Sequence, residues 1–220
     1  MTIRSKCLAY PGYAFLGTGE LFSITVLRTL LEHGLTPKYL VLPYYSAQPE
    51  KNSAGLVIAC VQSKTDLTDI ANSLNIQIIY APRENQLDLI QILSGDSIEC
   101  ALVACWPYRL DKKLIQCLGG KILNLHPSLL PNYKGPDPVT DQLHKKENNL
   151  GVTLHVVDEN FDSGTIIKQS SFQLEQLDKP DKKRVEIEAA KLGAGLFSSF
   201  LSENLDKNSQ PSEIDIKSFR

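Results

Sequence analysis

The sequence predicts an α/β fold in which a mostly parallel, twisted sheet carries an added antiparallel hairpin. Over the first 125 residues, short β-prone runs alternate with stretches whose apolar residues recur at helical spacing, which is typical of a parallel sheet. Beyond residue 150, two β-rich runs are joined only by a short acidic turn, which indicates a hairpin. For 220 residues the simplest organisation is one domain over residues 1–203 with a polar tail over residues 204–220.

The first half of the chain contains three units of strand and helix. Residues 7–16 are apolar and aromatic and lead into the turn Gly17-Thr18-Gly19, after which residues 21–33 have helical spacing. The pattern predicts further strands over residues 39–44 and 77–80, and further helices over residues 66–74 and 86–93. A long polar loop is expected over residues 43–55, which suits a surface segment near a site or a mobile connection.

The second half of the chain is expected to bring polar residues to one edge of the sheet. Strands are predicted over residues 100–105 and 121–125, with a short helix over residues 111–117 between them. The hairpin runs cover residues 151–157 and 165–174, and a charged helix over residues 179–201 ends near Glu203. Because ligands in open parallel sheets bind beyond the carboxyl ends of the strands, Asn124 and His126 are expected at a ligand site.

Charge and cysteine usage exclude several classes of function. With 23 basic and 25 acidic side chains the formal charge is −2, so there is no global attraction for a polyanion such as tRNA. The five cysteines are odd in number, and no pair of cysteines or histidines has metal-ligand spacing. No secretory signal opens the chain, and its apolar runs are too short to span a bilayer. These features predict a reduced, cytoplasmic protein with neither a metal nor a membrane partner.

The most informative segments are Asn-Leu-His-Pro-Ser-Leu-Leu-Pro at residues 124–131 and the acidic turn Asp-Glu-Asn-Phe-Asp-Ser-Gly at residues 158–164. Together they supply an amide (Asn124), an imidazole (His126) and a carboxylate (Asp162). An amide can donate to a developing oxyanion, a histidine can move a proton near neutral pH, and an aspartate can hold that histidine charged and oriented. These three groups suit acyl transfer.

These segments resemble the folate-dependent formyltransferases, which include glycinamide ribonucleotide formyltransferase, methionyl-tRNA formyltransferase, formyltetrahydrofolate hydrolase and several amino-sugar N-formyltransferases. The resemblance covers most of the chain and is densest over residues 119–135 and 151–164. It implies the Rossmann-like formyltransferase fold and a catalytic trio of Asn124, His126 and Asp162. By this resemblance, Asn124 binds the formyl oxygen, protonated His126 stabilises the tetrahedral intermediate, and Asp162 pairs with His126 and helps to remove the amine proton.

The resemblance also implies that 10-formyltetrahydrofolate is the formyl donor and places its pteridine pocket on two segments. One contains Trp106, Tyr108 and Leu110, of which Trp106 is the single tryptophan of the chain, and the other contains Val157 and Asp158. The aromatic residues suit an ordinary core position near a strand end equally well. His155 alternates with apolar neighbours on a strand and is predicted to be structural.

The predicted acceptor-binding residues are Gly17, Thr18, Gly19 and Lys134. The glycine turn could present backbone amides to an anion, but the adjacent Glu20 would repel phosphate, and tight packing of strand on helix explains the glycines as well. The opening of the chain looks like that of methionyl-tRNA formyltransferase. In contrast, the segment Lys-Gly-Pro-Asp-Pro at residues 134–138 departs from that enzyme, and its two prolines are expected to stiffen the rim of the site.

The favoured acceptor is the primary amine of a small molecule, an amino sugar or a similar metabolite. The chain stops soon after its last predicted helix, so the additional domain with which the transfer-RNA enzyme holds its substrate is not expected, and nucleic acid is not expected as a partner. Methionyl-tRNA, glycinamide ribonucleotide, hydrolysis of the donor and a non-catalytic folate-binding module stay as alternatives. A homodimer is compatible with the sequence.

Overall fold

A computed structural model describes residues 12–44, 50–51, 57–58, 66–84, 86–95, 98–118, 120–178 and 180–205. The strands in this part of the chain are β1 (Tyr13–Gly17), β2 (Tyr39–Tyr44), β3 (Glu50–Lys51), β4 (Val57–Ile58), β5 (Gln77–Pro82), β6 (Cys100–Ala104), β7 (Ile122–His126), β8 (Asn149–Val156) and β9 (Ile166–Gln173). Strands β3 and β4 pair with each other, and the other seven form one sheet in the order β5-β2-β1-β6-β7-β8-β9.

The large sheet is parallel from β5 to β7 and antiparallel at its other end. Neighbouring strands from β5 through β7 are parallel, whereas β8 is antiparallel to β7 and β9 is antiparallel to β8. This confirms the predicted mostly parallel sheet with an added hairpin. Because β1, β6 and β7 are adjacent and parallel, their carboxyl ends meet at one edge, where open α/β sheets bind ligands.

Helices cover both faces of this sheet. They are α1 (Leu21–Glu32), α2 (Asp66–Ser73), α3 (Leu87–Leu93), α4 (Lys112–Leu118), α5 (Pro138–His144) and α6 (Lys182–Leu205), with a short 3-10 helix at Leu174–Gln176. On β1, Phe15 packs into the core that contains α1 and α6, whereas Leu16 packs into the core that contains α3 and α4. Alternate residues of a strand point to opposite faces, so a central strand buried on both faces is apolar throughout.

Helix α5 is the main element that the sequence analysis did not predict. Pro138 occupies its first turn, and the carboxylate of Asp137 accepts the backbone N–H of Thr140 at 3.4 Å. Proline is favoured at the first position of a helix, and aspartate is favoured as an N-cap. The segment that was expected to be a stiff rim therefore begins a helix.

Several predicted boundaries change. The polar loop over residues 43–55 is wrong in part, because Pro43 and Tyr44 belong to β2 and Glu50–Lys51 form β3; its other residues lie outside the described part of the chain. The first strand begins at Tyr13 and ends at Gly17, and residues 7–11 of the predicted run lie outside the described part. Helix α6 continues through Leu205 and so includes the beginning of the predicted tail, while residues 206–220 lie outside the described part. No helix among the described residues is both long and apolar enough to cross a membrane.

Candidate active site

Alternation along β7 and β8 sorts apolar and polar residues onto opposite faces of the sheet. The leucines on either side of Asn124 join the core beneath α1 and α6, which leaves Asn124 and His126 on the other face. The register pairs Asn124 with His155 and His126 with Thr153, and directly paired residues share a face. Four polar side chains from two adjacent strands therefore gather at the edge where the parallel strands end.

The ring of His126 lies between two hydrogen-bond acceptors and is only 6% exposed. Its Nε2 lies 2.8 Å from the carbonyl oxygen of Tyr133, and its Nδ1 lies 3.5 Å from Oδ1 of Asp162. Because a carbonyl oxygen can only accept, Nε2 carries a hydrogen. The carboxylate of Asp162 therefore faces the ring nitrogen that the Tyr133 carbonyl does not occupy. The contact at Nδ1 is long for a hydrogen bond.

Asp162 reaches the histidines from the turn between β8 and β9. Its Oδ2 accepts the backbone N–H of Gly135 at 3.0 Å, and its Oδ1 lies 3.5 Å from His126 and 3.7 Å from His155. The carboxylate is 12% exposed, so solvent screens these interactions only in part. Within the sequence-predicted trio, Asp162 thus approaches His126 directly, and Asp162 and Asn124 both approach the ring of His155.

The turn that carries Asp162 folds tightly onto the end of β8. A Cβ atom added at Gly164 would lie 1.7 Å from the carbonyl oxygen of Val156, so glycine is required for this approach. Asp162 has a φ of 48°, in the left-handed region that aspartate tolerates better than most residues. The pairing of β8 with β9 also shifts between Leu154 and His155, and such irregularities commonly re-aim side chains beside active sites.

His155 is a second histidine in the site, where sequence analysis assigned only a structural role. It is 2% exposed, its Nδ1 lies 2.9 Å from the carbonyl oxygen of Val156, and its Nε2 lies 3.1 Å from Nδ2 of Asn124. Burial lowers the pKa of His155 below its ordinary value, which favours a neutral ring. Alternation along β8 could have placed His155 on the same face as Thr153. Its pairing with Asn124, however, depends on the strand register.

Buried hydrogen bonds fix the loop that follows β7. The hydroxyl of Thr153 donates to the carbonyl of Ser128 at 2.6 Å and accepts the backbone N–H of Leu130 at 3.0 Å. Gln142 of α5 donates to the carbonyl of Pro127 at 2.9 Å. The loop is therefore held in place before any ligand binds, which favours a preorganised site.

The residues predicted to bind the pteridine form an aromatic and apolar group after β6. The rings of Trp106 and Tyr108 meet edge to face with centroids 5.1 Å apart, and the Tyr108 hydroxyl donates to the carbonyl of Ala81. Leu110 is buried, and Trp106 and Val157 pack against the core cluster that contains it. The indole Nε1 of Trp106 is buried without a hydrogen-bond partner among the described residues. Leaving such a donor unpaired in a folded protein is costly.

The two segments predicted to line this pocket contact each other. Arg109 donates to the carbonyl of Glu159 at 2.6 Å, and its guanidinium carbon lies 4.9 Å from the ring centroid of Phe161. Asp158 is used within its own turn, where it accepts the hydroxyl of Ser163 at 2.9 Å. The structure brings the pocket residues together, whereas their binding to folate stays a prediction.

The glycine turn after β1 uses several of its own polar groups. A Cβ added at Gly17 would lie 2.3 Å from Oγ of Ser23, so tight packing accounts for that glycine. The backbone N–H of Thr18 donates to the same Oγ at 3.0 Å, and the Thr18 hydroxyl accepts the N–H of Glu20 at 3.2 Å. Two amides that an anion would need are therefore already bonded, while Gly19 is exposed.

Carboxylates predominate beside this turn. Lys182 pairs with Asp137 at 2.9 Å and lies 3.9 Å from Glu186. Burial raises the pKa of Glu186, and the charges of Asp137 and Glu20 raise it further against the opposing effect of Lys182. Burial, assisted by Glu186 and Glu20, also raises the pKa of Cys105 to about 12, so this thiol stays protonated at neutral pH. Three carboxylates and one lysine thus act on the same small region.

Two further features bear on ligand binding. Lys134 is exposed in the loop after β7, next to the glycine that bonds Asp162, and its role in binding an acceptor stays a prediction. Within the part of the chain that the structure describes, no group of three or more histidine, cysteine, aspartate or glutamate side chains could hold a metal ion.

The chain belongs to the formyl transferase family, whose model matches residues 47–198. Over 90 residues it is 36% identical to phosphoribosylglycinamide formyltransferase of Bacillus subtilis, and this aligned region covers 41% of this chain and 46% of that protein. Over 187 residues it is 28% identical to methionyl-tRNA formyltransferase of Helicobacter pylori, and this aligned region covers 85% of this chain and 58% of that protein. The matched regions span about half the length of these relatives.

Solved structures establish the same fold. Phosphoribosylglycinamide formyltransferase of Anaplasma phagocytophilum superposes with a TM-score of 0.69 at 18% identity, covering 90% of this chain and 88% of that one. A formyltetrahydrofolate deformylase of Pseudomonas syringae gives a TM-score of 0.67 at 14% identity, covering 89% of this chain and 63% of that one. The fold therefore accommodates proteins named for transfer to an amine and for removal of the formyl group.

Proposed function

We propose that this chain transfers a formyl group from 10-formyltetrahydrofolate to the primary amine of a small molecule. The observation that carries the proposal is the convergence of Asn124, His126 and Asp162 at the carboxyl edge of the sheet. Membership of the formyl transferase family supports formyl transfer as the reaction. The same proposal puts the protein in the cytoplasm, and a homodimer stays a prediction.

In this mechanism the amine nitrogen attacks the formyl carbon, and negative charge develops on the formyl oxygen. The Nδ1–H of His126 and an Nδ2–H of Asn124 donate to that oxygen, as in other oxyanion sites. The carbonyl of Tyr133 holds Nε2 of His126 at 2.8 Å, so the ring stays aimed at the oxyanion. Asp162 accepts the proton of the amine through water. The tetrahedral intermediate then collapses: the oxyanion re-forms the carbonyl, the bond from the formyl carbon to the folate nitrogen breaks, and that nitrogen takes the proton that water relays from Asp162.

The aromatic group after β6 supports the choice of a folate donor. A pteridine is flat and carries several acceptor atoms, whereas Trp106 and Tyr108 offer aromatic surface and a buried indole N–H without a partner among the described residues. In the proposal, the pteridine lies against this group and accepts from Nε1 of Trp106. Val157 and Leu110 supply the apolar surroundings, and Asp158 keeps the opposite turn folded.

The charges beside the glycine turn favour an acceptor without phosphate. Glu20, Asp137 and Glu186 act on this region, and its lysine is already paired with Asp137. A phosphate brought here would meet carboxylates and would find the backbone N–H of Thr18 already bonded. An amino sugar carries a cationic or neutral amine and hydroxyl groups, which such surroundings bind more readily. We therefore rank an amino sugar above methionyl-tRNA and glycinamide ribonucleotide.

Acceptors that differ only in phosphate test this ranking most sharply. The protein is incubated with 10-formyltetrahydrofolate and either glucosamine or glucosamine 6-phosphate, with glycinamide ribonucleotide and methionyl-tRNA in parallel, and formylated product is measured. We expect glucosamine to give the higher kcat/KM by at least ~10-fold, the usual size of a repelled or unpaired charge at a binding site. Preference for either phosphate ester would contradict the acceptor class.

Two other outcomes of the same experiment would replace the proposal. Release of formate at a rate independent of amine would identify a hydrolase, in which water takes the place of the amine. Binding of the donor without any loss of formyl would identify a folate-binding module. His126→Ala serves as the control, since turnover that persists in this variant does not come from the described site.

A further inference from the structure

We infer that His155 is a positioning residue that fixes the carboxamide of Asn124 for catalysis. This inference rests on the proposed function, because it concerns how Asn124 meets the formyl oxygen. The strand register places the two residues directly opposite each other on β8 and β7. Their side chains meet at 3.1 Å between Nε2 of His155 and Nδ2 of Asn124.

The hydrogen bonds of His155 determine its tautomer. Nδ1 lies 2.9 Å from the carbonyl oxygen of Val156, which can only accept, so Nδ1 carries a hydrogen. In a neutral ring, Nε2 then has a lone pair and no hydrogen. Nε2 must therefore accept from Asn124, and only the NH₂ end of the carboxamide can donate. The backbone carbonyl of Val156 thus determines, through the ring of His155, which way the carboxamide of Asn124 points.

This arrangement leaves Asn124 with one donor for the reaction. One Nδ2 hydrogen is used by His155, and the second has no protein partner among the described residues. If the amide were rotated by half a turn, its oxygen would face Nε2 and the two lone pairs would repel. His155 therefore keeps the NH₂ group of Asn124 turned towards its own ring, and this fixes the direction of the second Nδ2 hydrogen.

Protonation of His155 would reverse this effect. The groups that face the ring are the carboxylates of Asp162 and Asp158, the carbonyl of Val156 and the ring of His126. A charged ring would donate from Nε2 towards Asp162, 3.7 Å away, and could no longer accept from the amide. Burial and the neighbouring His126 oppose this charge, whereas both carboxylates favour it, and the pKa of His155 lies below its ordinary value. The neutral, accepting ring therefore predominates at neutral pH.

The test compares two substitutions that keep different atoms of the ring. Glutamine can place an oxygen where Nε2 lies, while asparagine is too short and reaches only as far as Nδ1. With 10-formyltetrahydrofolate and glucosamine, we expect His155→Asn to lower kcat by ~10- to 100-fold, the usual effect of losing one oxyanion donor. We expect His155→Gln to recover kcat to within about threefold of wild type, because an acceptor for Asn124 is restored. The KM for the donor should change less than about twofold in both.

A double-substitution cycle distinguishes positioning from a general structural role. If His155 acts through Asn124, His155→Asn should lower kcat by less than about twofold in an Asn124→Ala background. Lowering the pH from 7 to 5 should reduce the kcat of wild type more than that of His155→Gln, which has no ring to protonate. Equal losses in the asparagine and glutamine variants, or an undiminished loss in the Asn124→Ala background, would overturn the inference.

Imidazole NMR keeps the inference testable even if the protein turns over no formyl donor. In the wild-type protein at pH 7, ¹⁵N chemical shifts should show a neutral His155 with its hydrogen on Nδ1. A hydrogen on Nε2, or a charged ring, would overturn the positioning role whatever the activity. Failure of the proposed function would appear instead as absence of turnover in wild type with the expected tautomer present.

Discussion

Replacing Asp162 with asparagine changes one oxygen into an NH₂ group and leaves the shape of the side chain intact. Gly135 donates its backbone N–H to this side chain at 3.0 Å and so requires an oxygen there. The new NH₂ group must then face Nδ1 of His126, which lay 3.5 Å from the carboxylate. Because Nε2 of His126 already donates to the carbonyl of Tyr133, Nδ1 can only accept from the new amide. The substitution therefore holds His126 neutral.

The size of the effect follows from the distance between the charges. Two unit charges 3.5 Å apart attract each other by about 5 kcal/mol at an effective dielectric constant of about 20. If solvation and the new hydrogen bond offset about half of this, about 2.4 kcal/mol is lost from the transition state, which corresponds to roughly 50-fold in rate. We therefore expect Asp162→Asn to lower kcat by ~50- to 1000-fold, the upper figure applying where less of the attraction is offset.

The assay measures loss of 10-formyltetrahydrofolate with the best amine at saturating concentrations. Asp69→Asn provides a matched control, since it makes the same chemical change at an exposed carboxylate on α2. Circular dichroism should show both variants folded. A kcat for Asp162→Asn within about fivefold of wild type would refute the proposed role of this carboxylate beside His126.

Three further results are expected. Gly164→Ala should lower the thermal midpoint by at least about 5 °C and reduce activity, because its Cβ would meet the carbonyl oxygen of Val156 at 1.7 Å. The control Gly195→Ala, on α6, should be neutral or stabilising, because nothing lies within 4 Å of its Cβ. Equal midpoints in the two variants would contradict the packing argument. Glu186→Gln should raise the thermal midpoint slightly at pH 8 and leave it unchanged at pH 4. Burial raises the pKa of Glu186, so its ionisation lowers stability above the ordinary pKa, and this loss disappears as the carboxyl is protonated. A gain in midpoint that grows towards acid pH would contradict this. Trp106→Phe should weaken donor binding by roughly 3- to 10-fold in calorimetry, the value of one hydrogen bond from the indole N–H, whereas unchanged affinity would remove Trp106 from the pocket.

Strands and helices with strong apolar patterns could be predicted from the sequence, but α5 could not. Pro136 and Pro138 indicate a stiff loop when the chain is considered residue by residue. In the structure, Pro138 fits the first turn of a helix, and Asp137 caps it while pairing with Lys182 of α6. That pairing joins residues far apart along the chain. The capping residues of α5 are visible in the sequence, whereas the pairing of Asp137 with Lys182 is visible only in the folded structure.

The candidate site also contains residues that could be predicted from the sequence and one that could not. Asn124, His126 and Asp162 could be proposed because their residue types and a family resemblance point to acyl transfer. His155 could not be given a role, because strand alternation shows which face a residue occupies but not which residue lies opposite. Its contact with Asn124 depends on β8 pairing with β7 in one register. Register depends on packing across the whole sheet, and a shift of one residue would turn His155 to the other face.

The most direct test of the proposed reaction is to follow a ¹⁴C-labelled formyl group on 10-formyltetrahydrofolate in the presence of glucosamine. In wild type we expect the label to appear on the amine nitrogen, and in His126→Ala we expect the rate to fall at least ~100-fold. Label that stays on the folate in wild type, or transfer at an equal rate in both proteins, would contradict formyl transfer at this site.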